Sequence, residues 1–161
     1  MPLEIERKFI AHPSQLPAAP VSTRLEQGYV DMNRATVRVR VSGDQCFLTI
    51  KGPSNGMSRL EFEYPIPLEQ GQEMLRQLCR KPIIEKTRHE IKHGKHCWEV
   101  DVFDGENRGL VVAEVELDHE EESVELPAWV QREVTDDPKY ANAALAERPF
   151  SQWTIEEKAA T

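Results

Sequence analysis

No run in this chain approaches the roughly 20 apolar residues that a membrane-spanning helix needs, and nothing at its start reads as a secretory signal. Cysteine is scarce: Cys46, Cys79 and Cys97 are odd in number and lack metal-ligand spacing. That excludes a disulfide framework and predicts a reducing, cytoplasmic setting. Positive charge is in deficit, with 20 Lys and Arg against 28 Asp and Glu. A net charge of −8 argues against a nucleic-acid surface, and no nucleic acid or membrane is expected as a partner. Apolar residues also run short, at 39% of the chain, while charged residues reach 30%. Either the surface is unusually charged or part of the interior is polar. At 161 residues the chain is long enough for one domain with a real core.

What the chain does have is alternation. Glu4, Glu6 and Lys8 alternate with Leu3, Ile5 and Phe9, so in a strand the three charges share a face. Two glutamates ~6.6 Å apart along a strand are too far apart to share a proton but suit carboxylates reaching inward to divalent cations. The pattern recurs. Arg38 and Arg40 alternate with Val37, Val39 and Val41, and Arg59, Glu61 and Glu63 with Leu60, Phe62 and Tyr64. Further strands are expected over 46–51, from Lys86 and Arg88 toward a turn at His93-Gly94-Lys95, at Trp98 to Phe103, and around Glu114 and Glu116. A softer strand over 25–30 puts Gln27 and Tyr29 on one side. Helices are predicted only over 68–80, where Met74, Leu75 and Leu78 have helical spacing, and from Pro138 to about residue 147. The domain should span 1–150, with 151–161 as a loosely held tail.

Alternation says which residues share a face, not which face is inside. On periodicity alone a β-sandwich with solvated charged faces is the commoner solution. The charges point elsewhere. Like charges at neighbouring same-face positions repel by roughly 2 kcal/mol per pair at an effective dielectric of about 20. Paired glutamates ask for cations, and paired arginines and lysines ask for a polyanion. A metal-bound polyphosphate inside a closed or nearly closed eight-stranded barrel meets both demands.

At this point the chain resembles the CYTH domains, the triphosphate tunnel metalloenzymes. The resemblance rests on Glu4-Ile5-Glu6-Arg7-Lys8, then in order Arg38-Val39-Arg40, Leu48-Thr49-Ile50-Lys51, Arg59-Leu60-Glu61-Phe62-Glu63, Glu85-Lys86-Thr87-Arg88, Glu99-Val100-Asp101 and Glu114-Val115-Glu116. It covers the chain to about Phe150. It implies a mainly β fold: an eight-stranded antiparallel barrel with a few flanking helices, acting on a small-molecule triphosphate with Mg2+ or Mn2+, two ions per site. Lys8, Arg38, Arg40, Lys51, Arg59, Lys86 and Arg88 would bind the phosphates. Glu4, Glu6, Glu114 and Glu116 would lead the metal ligands. Glu61, Glu63 and Asp101 would be further ligands or would hold the cations. Glu4, Glu6, Lys8 and Lys86 would carry the catalysis, with metal-activated water attacking the terminal phosphorus in line.

The expected activity is hydrolysis of inorganic tripolyphosphate, by a monomer or homodimer. Alternatives are a thiamine triphosphatase, a class IV adenylyl cyclase, and a polyphosphate- or nucleotide-binding module without activity. Other signals read as structural. His89, His93 and His96 form a surface cluster, Cys97 packs, and Trp129 and Trp153 anchor the core.

Overall fold

The computed structural model describes residues 3–31 and 33–161, so Met1 and Pro2 of the opening segment lie outside the described residues. Nine strands form one antiparallel sheet: β1 (Leu3–Ala11), β2 (Val21–Asp31), β3 (Thr36–Ser42), β4 (Gln45–Lys51), β5 (Ser58–Ile66), β6 (Ile84–His93), β7 (His96–Phe103), β8 (Val111–Glu116) and β9 (Val130–Glu133). Their order is β5-β4-β3-β2-β6-β7-β8-β1-β9, and pairing of β1 with β5 closes the first eight into a barrel. The closure is brief. Only Leu3, Glu4 and Ile5 pair across it, with Leu60, Arg59 and Ser58. Further along, the same edge of β1 pairs with β9 through Phe9 and Ala11. The eight expected strands are present. The ninth is four residues long, too short for alternation to reveal it.

Register puts the charges inside. Arg59 lies opposite Glu4, Lys8 opposite Glu114, and Arg88 opposite Asp101. The outer face is apolar and needs cover. Residues Ile5, Phe9, Trp98, Val100 and Val115 pack under Trp129, whose ring meets that of Trp98 at 5.7 Å. Val39 and Cys46 are covered by Leu75 of α1 (Leu68–Gln77). That helix lies so close that a Cβ at Gly71 would fall 2.0 Å from the Cys46 sulfur, so only glycine fits. α1 ends three residues short of its expected end, and Leu78 is exposed rather than on the buried stripe. The Leu78 and Cys79 amides both bond the Met74 carbonyl, and Cys79 packs inward instead.

One end of the barrel departs from the expected pattern of charges within and apolar residues without. Ile10, Ile84, Phe103 and Val112 share the inward parity of the charged set. With Tyr29 they form an apolar cluster under Tyr140, Leu145 and Trp153. The predicted C-terminal helix is a 3-10 turn, Pro138–Tyr140, followed by α2 (Asn142–Glu147). This segment helps seal the barrel end instead of covering the outer face. Residues 151–161, expected to hang loosely, are docked. Trp153 is buried with its ring 5.1 Å from that of Tyr140. α3 (Ile155–Ala159) starts with a capping box between Thr154 and Glu157, and Arg132 donates to the Ala160 carbonyl at 2.8 Å.

Candidate active site

The barrel encloses about 270 Å³, and its lining divides by strand. On the β6-β2-β3 side the lining groups are Lys86, Arg88, Tyr29, Thr36, Arg38 and Arg40, with no carboxylate among them. Across the cavity, β5, β1 and β8 supply Glu4, Glu6, Glu61, Glu63, Glu114 and Glu116, with Lys8 and Arg59 as the cations. Lys51 of β4, Glu99 of β7, which pairs with Arg88 at 3.2 Å, and Asn142 complete the polar lining. Thirteen of the fourteen site residues expected from the sequence therefore face one space. The fourteenth, Asp101, sits behind the lining.

Asp101 is fully buried, and both of its oxygens are taken. It accepts from Arg88 at 2.8 and 2.9 Å and pairs with the Lys86 ammonium at 2.7 Å. Burial opposes its charge, but Lys86 and Arg88 prevail and hold its pKa down to about 2. Asp101 thus holds cations, which was one of its two expected roles. Glu63 is similarly engaged, accepting from the Thr49 hydroxyl at 2.9 Å and from Arg38 at 3.4 Å.

The cations on the opposite side are under strain of charge. Burial pushes Lys86 down to about 7, with Arg88 and Arg40 adding to the effect against the pull of Asp101. Burial, then Arg38 and Arg88, brings Arg40 to about 10. Arg38 and Arg59 each bury an Nε with no acceptor among the described residues. Buried donors of this kind cost free energy until an acceptor arrives, and a phosphate chain supplies many.

The carboxylates across the cavity face one another. Glu6 hydrogen-bonds Glu114, and burial together with the charges of Glu114 and Glu4 pushes it well above the usual carboxylate range. Glu114 is held well below that range by Lys8 and Arg88 despite its burial. Glu61 is raised to about 7 by burial and by its hydrogen bond to Glu4. Glu4 is held low against burial by Glu61 and by Lys51, whose ammonium lies 3.1 Å away. Glu116, exposed at the rim, is raised by burial and by Glu4.

Two carboxyl pairs that share protons are what such a site looks like when a proton must do a cation's work. Among the described residues no three His, Cys, Asp or Glu groups gather into a ready-made metal cage. Yet divalent cations bound at these carboxyls would take the place of the protons. The donors are oxygen throughout, as Mg2+ and Mn2+ prefer. The residues present fit such an ion.

Sequence reasoning missed two residues here. Gln27, fully buried, accepts from Arg40 Nε at 2.7 Å, and Asn142 accepts from Lys86 Nζ at 2.8 Å. Gln27 shares the parity of Tyr29, which was a usable signal. Asn142 lies in Lys139-Tyr140-Ala141-Asn142, a stretch that shares the family resemblance but gives no role to an uncharged residue at the start of a distant helix. The histidines lie outside the cavity, as expected, with His93 and His96 paired to Glu125 and Glu122. Cys97, expected to pack, is exposed.

Known proteins are similar to this chain. A curated inorganic triphosphatase of Acetivibrio thermocellus is 44% identical over 93% of this chain and 97% of its own length. One from Nitrosomonas europaea is 36% identical over 89% and 96%. The crystal structure of an inorganic triphosphatase superposes with a TM-score of 0.65 at 34% identity, covering 89% of this chain and 93% of that one. The CYTH domain model matches residues 2–148, and the chain belongs to the CYTH family.

Proposed function

We propose that the protein is a metal-dependent triphosphatase that hydrolyses inorganic tripolyphosphate. The observation that carries this reading is the division of one cavity into a cationic side and a carboxylate side. Tripolyphosphate is a compact polyanion with acceptors along its whole length. Arg38, Arg40, Lys86 and Arg88 would bind it from one side, the arginines through paired donors and the lysine as a point charge. Lys8, Lys51 and Arg59 would hold it from the other. Glu4, Glu6, Glu114 and Glu116, with Glu61, would hold Mg2+ or Mn2+. A bound divalent ion supplies charge neutralisation of the phosphates and acidifies water. Glu6, whose carboxyl is pushed well above the usual range by burial and by Glu114 and Glu4, would orient a water for in-line attack. No side-chain nucleophile is required.

The relatives named inorganic triphosphatases support the same substrate. A nucleoside or thiamine triphosphate needs a ring-binding surface as well. Tyr29 is the only aromatic group among the described lining residues, and it is buried with its hydroxyl bonded by Gln27. One chain supplies every described lining residue. Three free cysteines suit a cytoplasmic enzyme, and no helix among the described residues is long and apolar enough to cross a membrane.

Incubating the pure protein with tripolyphosphate, ATP and thiamine triphosphate, with and without Mg2+ or Mn2+, tests the reading. Phosphate release from tripolyphosphate only with metal is expected. Cyclic AMP from ATP, or binding without turnover, would replace this function with the cyclase or the binding module.

A further inference from the structure

Two cations in the cavity, Arg40 and Lys86, are each held by an amide carbonyl. Arg40 donates Nε to Gln27 Oε1 at 2.7 Å. Gln27 Nε2 donates to Asn142 Oδ1 at 3.2 Å, and Lys86 Nζ donates to that same oxygen at 2.8 Å. The orientation of both amides follows from the ends of the chain. Guanidinium and ammonium can only donate, so Gln27 must turn its carbonyl to Arg40 and Asn142 its carbonyl to Lys86. That leaves the Gln27 amide nitrogen for Asn142 and for the Tyr29 hydroxyl, which it reaches at 3.0 Å.

The choice of acceptor matters. Arg88 is fixed by the Asp101 carboxylate, which cancels much of its charge toward any ligand. An amide carbonyl fixes a cation just as directionally and cancels none. Lys86 combines both devices, with Asp101 and Asn142 taking two of its three N–H donors. Asn142 is also the first residue of α2, beside the Tyr140 carbonyl that accepts from Lys8 at 3.4 Å.

We infer that Gln27 and Asn142 form a two-amide relay that positions Arg40 and Lys86 for the phosphate chain, an inference resting on the triphosphatase reading. Both are positioning residues: Gln27, fully buried, acts through Arg40, and Asn142, at the cavity wall, acts through Lys86.

The test compares Gln27→Ala, Asn142→Ala and the double variant. With tripolyphosphate and Mg2+, each single change should raise KM about tenfold and leave kcat within about threefold, as for lost ground-state binding. The double variant should be no worse than the worse single, because both interrupt one relay. Partial unfolding gives the opposite signature, lowering kcat through a smaller active fraction while KM stays put. An unchanged KM in either single, or single effects that multiply in the double, would overturn the relay. Calorimetric titration of tripolyphosphate without metal separates this from the broader reading. If the wild type binds but releases no phosphate, the triphosphatase reading falls. The relay then stands on a Kd about tenfold weaker in each single and falls if Kd is unmoved. A wild type that neither binds nor turns over overturns both.

Discussion

The two sides of the cavity are built from the same alternating strands but solve opposite electrostatic problems. On β6, β2 and β3, cations are buried beside cations; Lys86 falls to about 7 and Arg40 to about 10, while Arg88, against its burial, is held well above its ordinary value by Asp101. On β1, β5 and β8, carboxyls are crowded among carboxyls, and Glu6 and Glu61 retain protons that free glutamates would lose. One side would gain from an anion and the other from a cation. Strands β7 and β4 lie between the two sides and carry mixed pairs: Asp101 beneath Arg88, and Lys51 against Glu4. One barrel thus sets a crowded cationic wall against a crowded carboxyl wall.

Breaking the carboxylate side should have the largest effect. Glu6→Gln keeps the shape and hydrogen bonding of the protonated side chain and removes its capacity to ionise beside a metal. Metal-dependent phosphate release should fall by at least about a hundredfold while the thermal melt stays near wild type. Turnover within a fewfold of wild type would remove Glu6 from the metal and water role.

A smaller effect sharpens the comparison through pH. The folded-state pKa of Glu61, about 7, lies above the usual carboxylate value, and Glu6 moves the same way. Between about pH 4.5 and 7 the folded chain therefore binds more protons than the unfolded one, so stability falls as pH rises through that window. Metal-free protein should lose a few degrees of Tm between pH 5 and pH 7. Saturating Mg2+ should abolish that loss, because ions replace the shared protons. Lys86 acts with opposite sign, but only above its pKa of about 7.

The smallest effect is expected outside the cavity. His93→Gln removes a 3.5 Å contact to exposed Glu125 and should leave kcat/KM within about twofold. A large loss would show that the β6-β7 hairpin reaches the chemistry after all.

Much of this was legible in the sequence, for a local reason. Parity along a strand is set by neighbouring residues alone, so Glu4, Glu6 and Lys8 declare a shared face wherever the strand ends up. Repulsion between like charges then tells inside from outside. Parity cannot distinguish lumen from plug, however. Ile10, Ile84, Phe103 and Val112 point the same way as the charges, and only the arrival of Tyr140, Leu145 and Trp153 makes them a seal. The role of Asn142 was hidden for the same reason. Its partner Lys86 is 56 residues away, and an amide carries no charge to betray its place. Leu78 misled because helical spacing persists past the point where the helix stops.

The division of the cavity is tested most directly by titrating tripolyphosphate, without metal, into Glu6→Gln and Arg40→Ala. Glu6→Gln should bind at least as tightly as wild type, since it removes no cation, and Arg40→Ala at least about tenfold more weakly. Weaker binding by Glu6→Gln together with undiminished binding by Arg40→Ala would contradict the account.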